Sequence, residues 1–569
     1  MSNVESMKLS ADIFTRMLSL KFLKIYNSHC SKWCENHCRF RFPGGLDSFP
    51  DELVYLHWQG YPLEYLPLNF NPKKLIDLSL RYSSIKQLWE DEKNTGELRL
   101  MGLPDTLCKL KSLKELILSG CSKLESFPDI HEDMGSLEIL LIDDTAIKQT
   151  PRKMCMSNLK LFSFGGSKVQ DFRGLELLPF SGCSQLSDMY LTDCNLYKLS
   201  DNLSCLSSLQ SLCLSKNNIE NLPGSIKKLH HLKSLYLKHC QKLISLPVLP
   251  SNLQYLDAHG CISLETVAKP MTLLVIAEKT HSTFVFTDCF KLNRDAQENI
   301  VAHTQLKSQI LVNGSLQRNH KELVLEPLVA VSFPGNDLPL WFRHQRIGSS
   351  MEINLPPHWC DDKFIGLSLC TVVSFKDYED RTSRFSVICK CKFRNEDGDS
   401  TSFTCNLGGW KEQCGSPSHE EPRRLSSDHV FISYNNCYHA KKSDDLNRCC
   451  NTTASLKFFL TDGKAKRKLD CCEVVKCGMS LLYAPDENDY RLHGLQENNL
   501  DKAISGKETD LNETDLDEVV VSKRGRLCFQ EEELLNRKRI KEEVSFSNYE
   551  CTVTSVLSYT KPAKPNHWT

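Results

Sequence analysis

Ser208–Leu232 reads SLQSLCLSKNNIENLPGSIKKLHHL. Leu209, Leu212 and Leu214 stand at the spacing apolar-x-x-apolar-x-apolar. Side chains alternate across a strand, so Leu212 and Leu214 share one face while Ser211, Cys213 and Ser215 share the other. Asn217 follows the strand, Ile219 and Leu222 fill a layer behind it, and Pro223 opens the return. A strand of this length with one return cannot bury its apolar edge alone, so the segment needs copies of itself on either side.

The copies are present. The same spacing begins at Leu20, Leu53, Leu75, Leu113, Leu137, Leu159, Leu186, Leu209, Leu232 and Leu253, and from Leu113 onward the steps are 24, 22, 27, 23, 23 and 21 residues. That period identifies a leucine-rich-repeat solenoid, in which stacked coils form one continuous core. The step from Leu75 to Leu113 is 38 residues, and LRLMGLPDTLCKLKSL there reads as the second half of a repeat whose strand half has been lost, the alternative being a bulge of the solenoid near Glu97 to Met101.

The position after the strand is Cys121, Thr145, Ser167, Cys194, Asn217, Cys240 and Cys261 in successive copies. All are small and able to pack or hydrogen-bond inside a turn, which gives four cysteines a structural role and leaves their thiols inert. The outward strand positions form the candidate protein-binding surface: Arg81, Glu115, Ile117, Asp143, Tyr190, Thr192, Tyr236, Lys238, Tyr255, Asp257 and His259. Tyrosine, arginine and aliphatic residues are the types that protein interfaces concentrate.

Beyond the repeats the period changes from that of a coil to that of a sheet. Phe385, Val387, Cys389, Cys391 and Phe393 alternate with Ser386, Ile388, Lys390 and Lys392, NEDGD makes a turn, and Phe403, Cys405 and Leu407 alternate again. Further β-rich runs, FIGLSLCTVV, HVFISY, SLKFFL and VVKCGMSLLY, are separated by polar loops, the pattern of a β-sandwich. WKEQCGSPSHEEPRRLSSD reads as a long exposed loop between strands.

Three segments carry a family resemblance. Gly45–Glu90, GLDSFPDELVYLHWQGYPLEYLPLNFNPKKLIDLSLRYSSIKQLWE, resembles the opening repeats of plant intracellular immune receptors that carry TIR, NB-ARC and leucine-rich-repeat domains. FTDCFKLN, Phe286–Asn293, resembles the segment after their last repeat. Pro334–Trp359, PGNDLPLWFRHQRIGSSMEINLPPHW, with KCGMSLLYA at Lys476–Ala484, resembles their C-terminal jelly-roll/Ig-like domain. The resemblance implies a role in sensing a pathogen effector or a guarded host protein. It does not carry over nucleotide switching or NAD cleavage, because no GxxxxGK[ST] phosphate loop occurs and neither TIR nor NB-ARC residues are present in the sequence.

Composition removes other classes. The 569 residues carry 70 Lys+Arg against 71 Asp+Glu, so there is no bulk basic field for direct nucleic-acid binding. No apolar run reaches a membrane span and the first residues lack a signal-peptide pattern, so a soluble intracellular chain with reduced thiols is expected despite its 27 cysteines. Cys30, Cys34, His37 and Cys38 lie close together, but C-x3-C-x2-H-C is not a standard zinc spacing. Cys449, Cys450, Cys471, Cys472 and Cys477 read as strand fillers. No nucleophile–base motif is recognisable, so neither catalytic residues, cofactor nor metal is expected.

The expected architecture is an α/β leucine-rich-repeat solenoid over 20–275 after a short leader at 1–19, a linker or cap at 276–330, an all-β sandwich of jelly-roll/Ig-like type over 331–485, and a polar disordered tail at 486–569. In that tail Lys523 and Arg524 precede Arg537, Lys538, Arg539 and Lys541 at the spacing of a bipartite nuclear import signal. EEELLNRKRIKEE also reads as a solvated helix. The expected location is therefore cytoplasmic, with nuclear entry as the alternative. The expected partners are an effector or guarded host protein. The competing readings are a regulatory or decoy partner of full-length receptors, or a partial gene model of a complete NAD-hydrolysing receptor.

Overall fold

The computed structural model describes residues within 7–25, 40–88, 107–148, 153–166, 182–268, 281–302, 324–411, 423–436 and 451–483, apart from 68, 71, 109, 326, 362, 381–383, 463–468 and 470. Ser167, the Cys30–Cys38 cluster, Cys449, Cys450, residues 97–101 and the import-signal residues Lys523, Arg524, Arg537, Lys538, Arg539 and Lys541 lie outside the described residues.

The solenoid strands are short: β1 Phe22–Ile25, β2 Tyr55–Trp58, β3 Asp77–Ser79, β4 Glu115–Ile117, β5 Ile139–Leu141, β6 Leu161–Gly165, β7 Asp188–Thr192, β8 Ser211–Cys213, β9 Ser234–Tyr236, β10 Tyr255–Asp257 and β11 Ser282–Val285. From β2 each pairs in parallel with the next. The register never slips. Leu78, Leu116, Leu140, Phe162, Met189, Leu212, Leu235, Leu256 and Phe284 stand side by side, all buried. The repeat leucines therefore face the core as their spacing predicts. The returns are extended or 3-10, as at Asp201–Cys205 and Gly224–Lys228, where Leu203 and Ile226 are the buried residues. β3 pairs directly with β4, so the long step from Leu75 to Leu113 leads from one coil straight to the next in the sheet.

Each coil leaves its strand through one left-handed residue. Gly60, Tyr82, Gly120, Asp144, Gly166, Asp193, Lys216, His239, Gly260 and Asp288 all have positive φ. Each lies seven places after the first position of its repeat, as Gly260 does after Leu253. At Gly120, Gly166 and Gly260 a side chain of the previous coil occupies the space a Cβ would take. A Cβ on Gly120 would come 2.3 Å from the Tyr82 ring, and one on Gly260 would come 2.5 Å from His239 Nδ1. Glycine is needed at these two positions both for its φ and for this close approach.

The next residue builds a ladder. Cys121 Sγ donates to the Leu80 carbonyl at 3.0 Å, Cys194 to Phe164 at 3.2 Å, Cys240 to Leu214 at 3.2 Å, Cys261 to Leu237 at 3.1 Å and Cys289 to Ala258 at 3.1 Å. Each thiol reaches a carbonyl of the preceding described coil. Asn217 makes the same reach with an amide: its Nδ2 donates to Leu191 at 2.7 Å, and its Oδ1 accepts from the Cys194 and Leu196 amides. Burial pushes the Cys121 thiol up to about 12 and those of Cys194, Cys240 and Cys261 well above their ordinary value, so these side chains stay protonated donors.

The coil pattern continues past residue 275. β11 stands in register with β10, Asp288 takes the left-handed position and Cys289 the ladder position. FTDCFKLN is thus the turn of a further coil.

The sandwich strands are β12 Val329–Pro334, β13 His344–Ile347, β14 Ser350–Asn354, β15 Phe364–Phe375, β16 Arg384–Asn395, β17 Ser400–Lys411, β18 Asp428–Asn436, β19 Asn451–Thr461 and β20 Cys472–Tyr483. β12 pairs in parallel with β11 and antiparallel with β18, so one sheet runs from the solenoid into the sandwich in the order β11-β12-β18-β15-β20-β13. Val331 extends the buried row opposite Phe284. The second sheet is Val324–Leu325, then β17-β16-β19-β14. β16 alternates as expected: Phe385, Val387, Cys389, Cys391 and Phe393 are buried between the sheets, with Phe385 stacked on Trp410 and Phe393 on Trp359.

Candidate functional site

Strand neighbours lie about 4.8 Å apart, so side chains on the outward face of consecutive coils meet one another unless they are small or long enough to lean away. The expectation of an open ledge is therefore corrected at seven positions. Ile117, Asp143, Tyr190, Tyr236, Tyr255, Asp257 and His259 are buried. Arg81, Glu115, Thr192 and Lys238 are half-buried and reach solvent.

The reason differs along the sheet. Tyr190, Cys213, Tyr236 and Tyr255, on four successive strands, form one apolar cluster, with the Tyr236 and Tyr255 rings 5.4 Å apart. Asp143 is held inside by Ser163 and Ser119 on its two neighbouring coils. Burial raises its carboxyl to about 6, the two serine hydroxyls only partly offsetting the loss of water. At the N-terminal end His57 Nε2 lies 2.7 Å from Asp77.

The most constrained part of this face is where the sandwich meets it. Arg423 is 2% exposed and its guanidinium holds both oxygens of Asp257, also 2% exposed: Nη1 donates to Oδ1 at 3.2 Å and Nη2 donates to Oδ2. The guanidinium carbon lies 5.1 Å from the centre of the Trp410 ring. Trp410 Nε1 in turn donates to Asp380 at 2.6 Å, and the Asp380 amide donates to the Arg423 carbonyl at 2.9 Å. Asp257 also accepts from the His259 amide and the Tyr255 hydroxyl. Burial alone would push the Asp257 carboxyl up, but the charges of Arg423 and Lys238 and these hydrogen bonds outweigh it and hold the group below its ordinary value.

Two buried histidines stand beside this pair. Burial and the nearby Arg423 push His259 well below its ordinary value, and its Nδ1 lies 2.9 Å from Thr287 Oγ1. His429 is fully buried and accepts the Asp288 amide at Nε2, 3.1 Å, which leaves the proton on Nδ1 to face the Ser427 carbonyl at 3.0 Å. Asp288 is the left-handed residue of the last coil, so this bond ties that turn to β18.

Sequence reasoning did not find Arg423, His429, Thr287 or Asp288. Nothing in EEPRRL separates Arg423 from Arg424, yet Arg424's side chain is 80% exposed and, among the described residues, pairs with Glu379 alone. Among the described residues no three His, Cys, Asp or Glu side chains stand close enough to hold a metal ion. Cys472 and Cys477 are buried and Cys471 half-buried. No described helix is long and apolar enough to cross a membrane.

Residues 333–488 match the C-JID domain family, residues 207–251 the family "Leucine Rich repeats (2 copies)" and residues 74–93 the family "Leucine Rich Repeat". Among curated proteins, the disease resistance-like protein DSC1 of Arabidopsis thaliana is 42% identical over an alignment taking in 95% of this chain and 55% of its own length. The disease resistance protein RPP2B of the same plant is 46% identical over 87% of this chain and 52% of its own length. The chain thus spans about half the length of the curated relatives it matches. Of solved structures, a leucine-rich-repeat protein of Leptospira interrogans covers 40% of this chain at 20% identity and a TM-score of 0.25, a likeness too loose to bear on the fold. The chain thus carries leucine-rich repeats and a C-JID domain, and over most of its length it is similar to the C-terminal part of plant disease resistance proteins.

Proposed function

We propose that this chain is the ligand-sensing part of a plant intracellular immune receptor and binds a pathogen effector or a guarded host protein. The observation that carries the reading is the single sheet running from the repeats through β11 and β12 into the sandwich, pinned by Arg423 and Asp257. It supports a surface in which concave face and sandwich loops keep a fixed relation, so that one ligand can be read by both. The accessible residues Arg81, Glu115, Thr192 and Lys238 are the positions at which contact is proposed. Specificity then rests on few side chains, as hot-spot interfaces do. In this reading the chain works by binding and not by catalysis, and changes of state belong to the partner it acts with.

The test is affinity capture with the full chain from infected and uninfected leaf extracts. A protein captured from infected tissue alone, and lost with Lys238→Glu or Arg81→Glu, supports effector sensing; one captured from both extracts and lost with the same variants supports a guarded host protein. Capture of host receptors only, unchanged by these substitutions, overturns the sensing reading in favour of a regulatory partner of full-length receptors.

A further inference from the structure

Among the described residues, one edge of the continuous sheet is open. β13 is its last strand and, among the described residues, pairs only with β20. The register runs His344 with Met479, Gln345 with Gly478, Arg346 with Cys477 and Ile347 with Lys476. Gly348 donates its amide to Val475 at 2.8 Å, and the Lys476 carbonyl is turned to the other side, where it accepts from Thr371 Oγ1 at 2.8 Å. In an antiparallel ladder bonded and non-bonded pairs alternate, so Arg346 and His344 bond to β20 while Gln345 and Ile347 point their N–H and C=O groups outward.

Such an edge is a template for another strand, and proteins usually blunt it with proline, a bulge or a cover. Here the flanking surface is apolar instead. Ile347 is 89% exposed and Leu340 93% exposed. The turn carrying Leu340 and Trp341 is held beside the strand by Gln345 Nε2, which donates to the Pro339 and Phe342 carbonyls. Arg343 and Arg346 are exposed and, among the described residues, have no carboxylate partner. Two copies of this strand laid edge to edge would bring arginines together across the ladder, which disfavours a second copy as the occupant.

We propose that β13 is an acceptor edge for strand addition, taking an extended segment of a partner protein that alternates acidic and apolar side chains. Main-chain bonds to Gln345 and Ile347 supply the register, Ile347 and Leu340 meet the apolar side chains, and Arg346, on the opposite face of the strand from Ile347, selects acidic ones. The proposal uses none of the concave-face residues, so its failure leaves the receptor reading untouched.

The experiment is fluorescence anisotropy of the full chain with three short labelled peptides: alternating valine and glutamate, alternating valine and lysine, and the glutamate peptide with N-methylated backbone. The glutamate peptide is expected to bind, more weakly as salt rises, with the other two at least about tenfold weaker. Ile347→Pro removes an outward N–H without touching the bonds to β20 and is expected to abolish binding at an unchanged melting temperature. Arg346→Glu should invert the preference towards the lysine peptide, and decides the matter if Ile347→Pro does not fold. No binding of the glutamate peptide, equal binding of its N-methylated form, or undiminished binding by folded Ile347→Pro overturns the proposal. Self-association of the wild type that Ile347→Pro abolishes also overturns it, assigning the edge to a second copy.

Discussion

Replacing Arg423 by alanine strands the Asp257 carboxylate in a site with 2% side-chain exposure, and the consequence can be followed through the structure. The carboxylate loses two guanidinium bonds and keeps only the His259 amide and the Tyr255 hydroxyl. Removing one partner of a buried pair costs about 3–5 kcal/mol, and loss of the stack on Trp410 adds about 1–2 kcal/mol. The total, about 4–7 kcal/mol, would be a large fraction of the stability of any domain. Arg423→Lys should recover little, since an ammonium cannot hold both oxygens. The double change Arg423→Met with Asp257→Leu removes both charges and should fall within about 1 kcal/mol of the wild type, so that the cycle isolates the pair.

The pH dependence gives a second, independent readout. In the wild type the folded-state carboxyl of Asp257 lies below its unfolded value, so its contribution is present above the ordinary carboxylate range and is lost as pH falls through the folded value. In Arg423→Ala burial prevails and the folded value rises above the unfolded one. The sign then reverses: the variant should regain stability on acidification, as Asp257 takes up a proton. Urea unfolding followed by circular dichroism from about pH 2 to about pH 7 measures both effects, the wild-type loss below the ordinary carboxylate value and the variant's gain above it. A loss below about 1 kcal/mol at neutral pH, or a double variant no better than Arg423→Ala, would refute the pairing as the anchor between repeats and sandwich.

Three further outcomes follow from other parts of the molecule. Leu235→Asp should unfold neighbouring coils, because Leu235 is fully buried between Leu212 and Leu256; cooperative unfolding at the wild-type temperature would refute the register. Gly260→Ala should lower stability by about 2 kcal/mol or more, since φ is +71° and the new methyl meets His239, while Gly224→Ala, with open space around it, should change little in the same thermal assay. Asp143, raised to about 6, contributes stability that is full below its unfolded value near 4 and is lost as pH rises towards 6. Asp143→Asn should therefore flatten that pH window and raise the melting temperature at pH 7; an unchanged pH profile would show that Asp143 is not the titrating group.

Tyr236 illustrates how far the candidate site could be read in advance. Its place on the outward face follows from its parity with Leu235 and Leu237, and the structure keeps that parity. Its burial does not follow, because it depends on Tyr190, Cys213 and Tyr255 standing on adjacent strands, residues up to 65 positions apart whose contact exists only once the coils have stacked. Lys238, two residues on, keeps access to solvent with the same local pattern. The site residues that lay hidden share this origin: Arg423 and Asp257 are 166 positions apart, and His429 and Asp288 141.

The sequence by itself determined what is local and periodic. The leucine spacing set which side chains turn inward, the cysteines and the asparagine after six of the strands set the ladder, and the alternation of β16 set the sandwich core. These patterns are enforced within one coil or one hairpin, where burial acts on neighbours in the chain. Only the tertiary structure decided that β11 and β12 join the two regions into one sheet, that a buried Arg423 locks the junction, and that three outward tyrosines pack together while Asp143 and Asp257 face serines and an arginine instead of solvent. Those outcomes depend on pairings between distant segments, and on what each charged group gains or loses when water leaves, which no local pattern records.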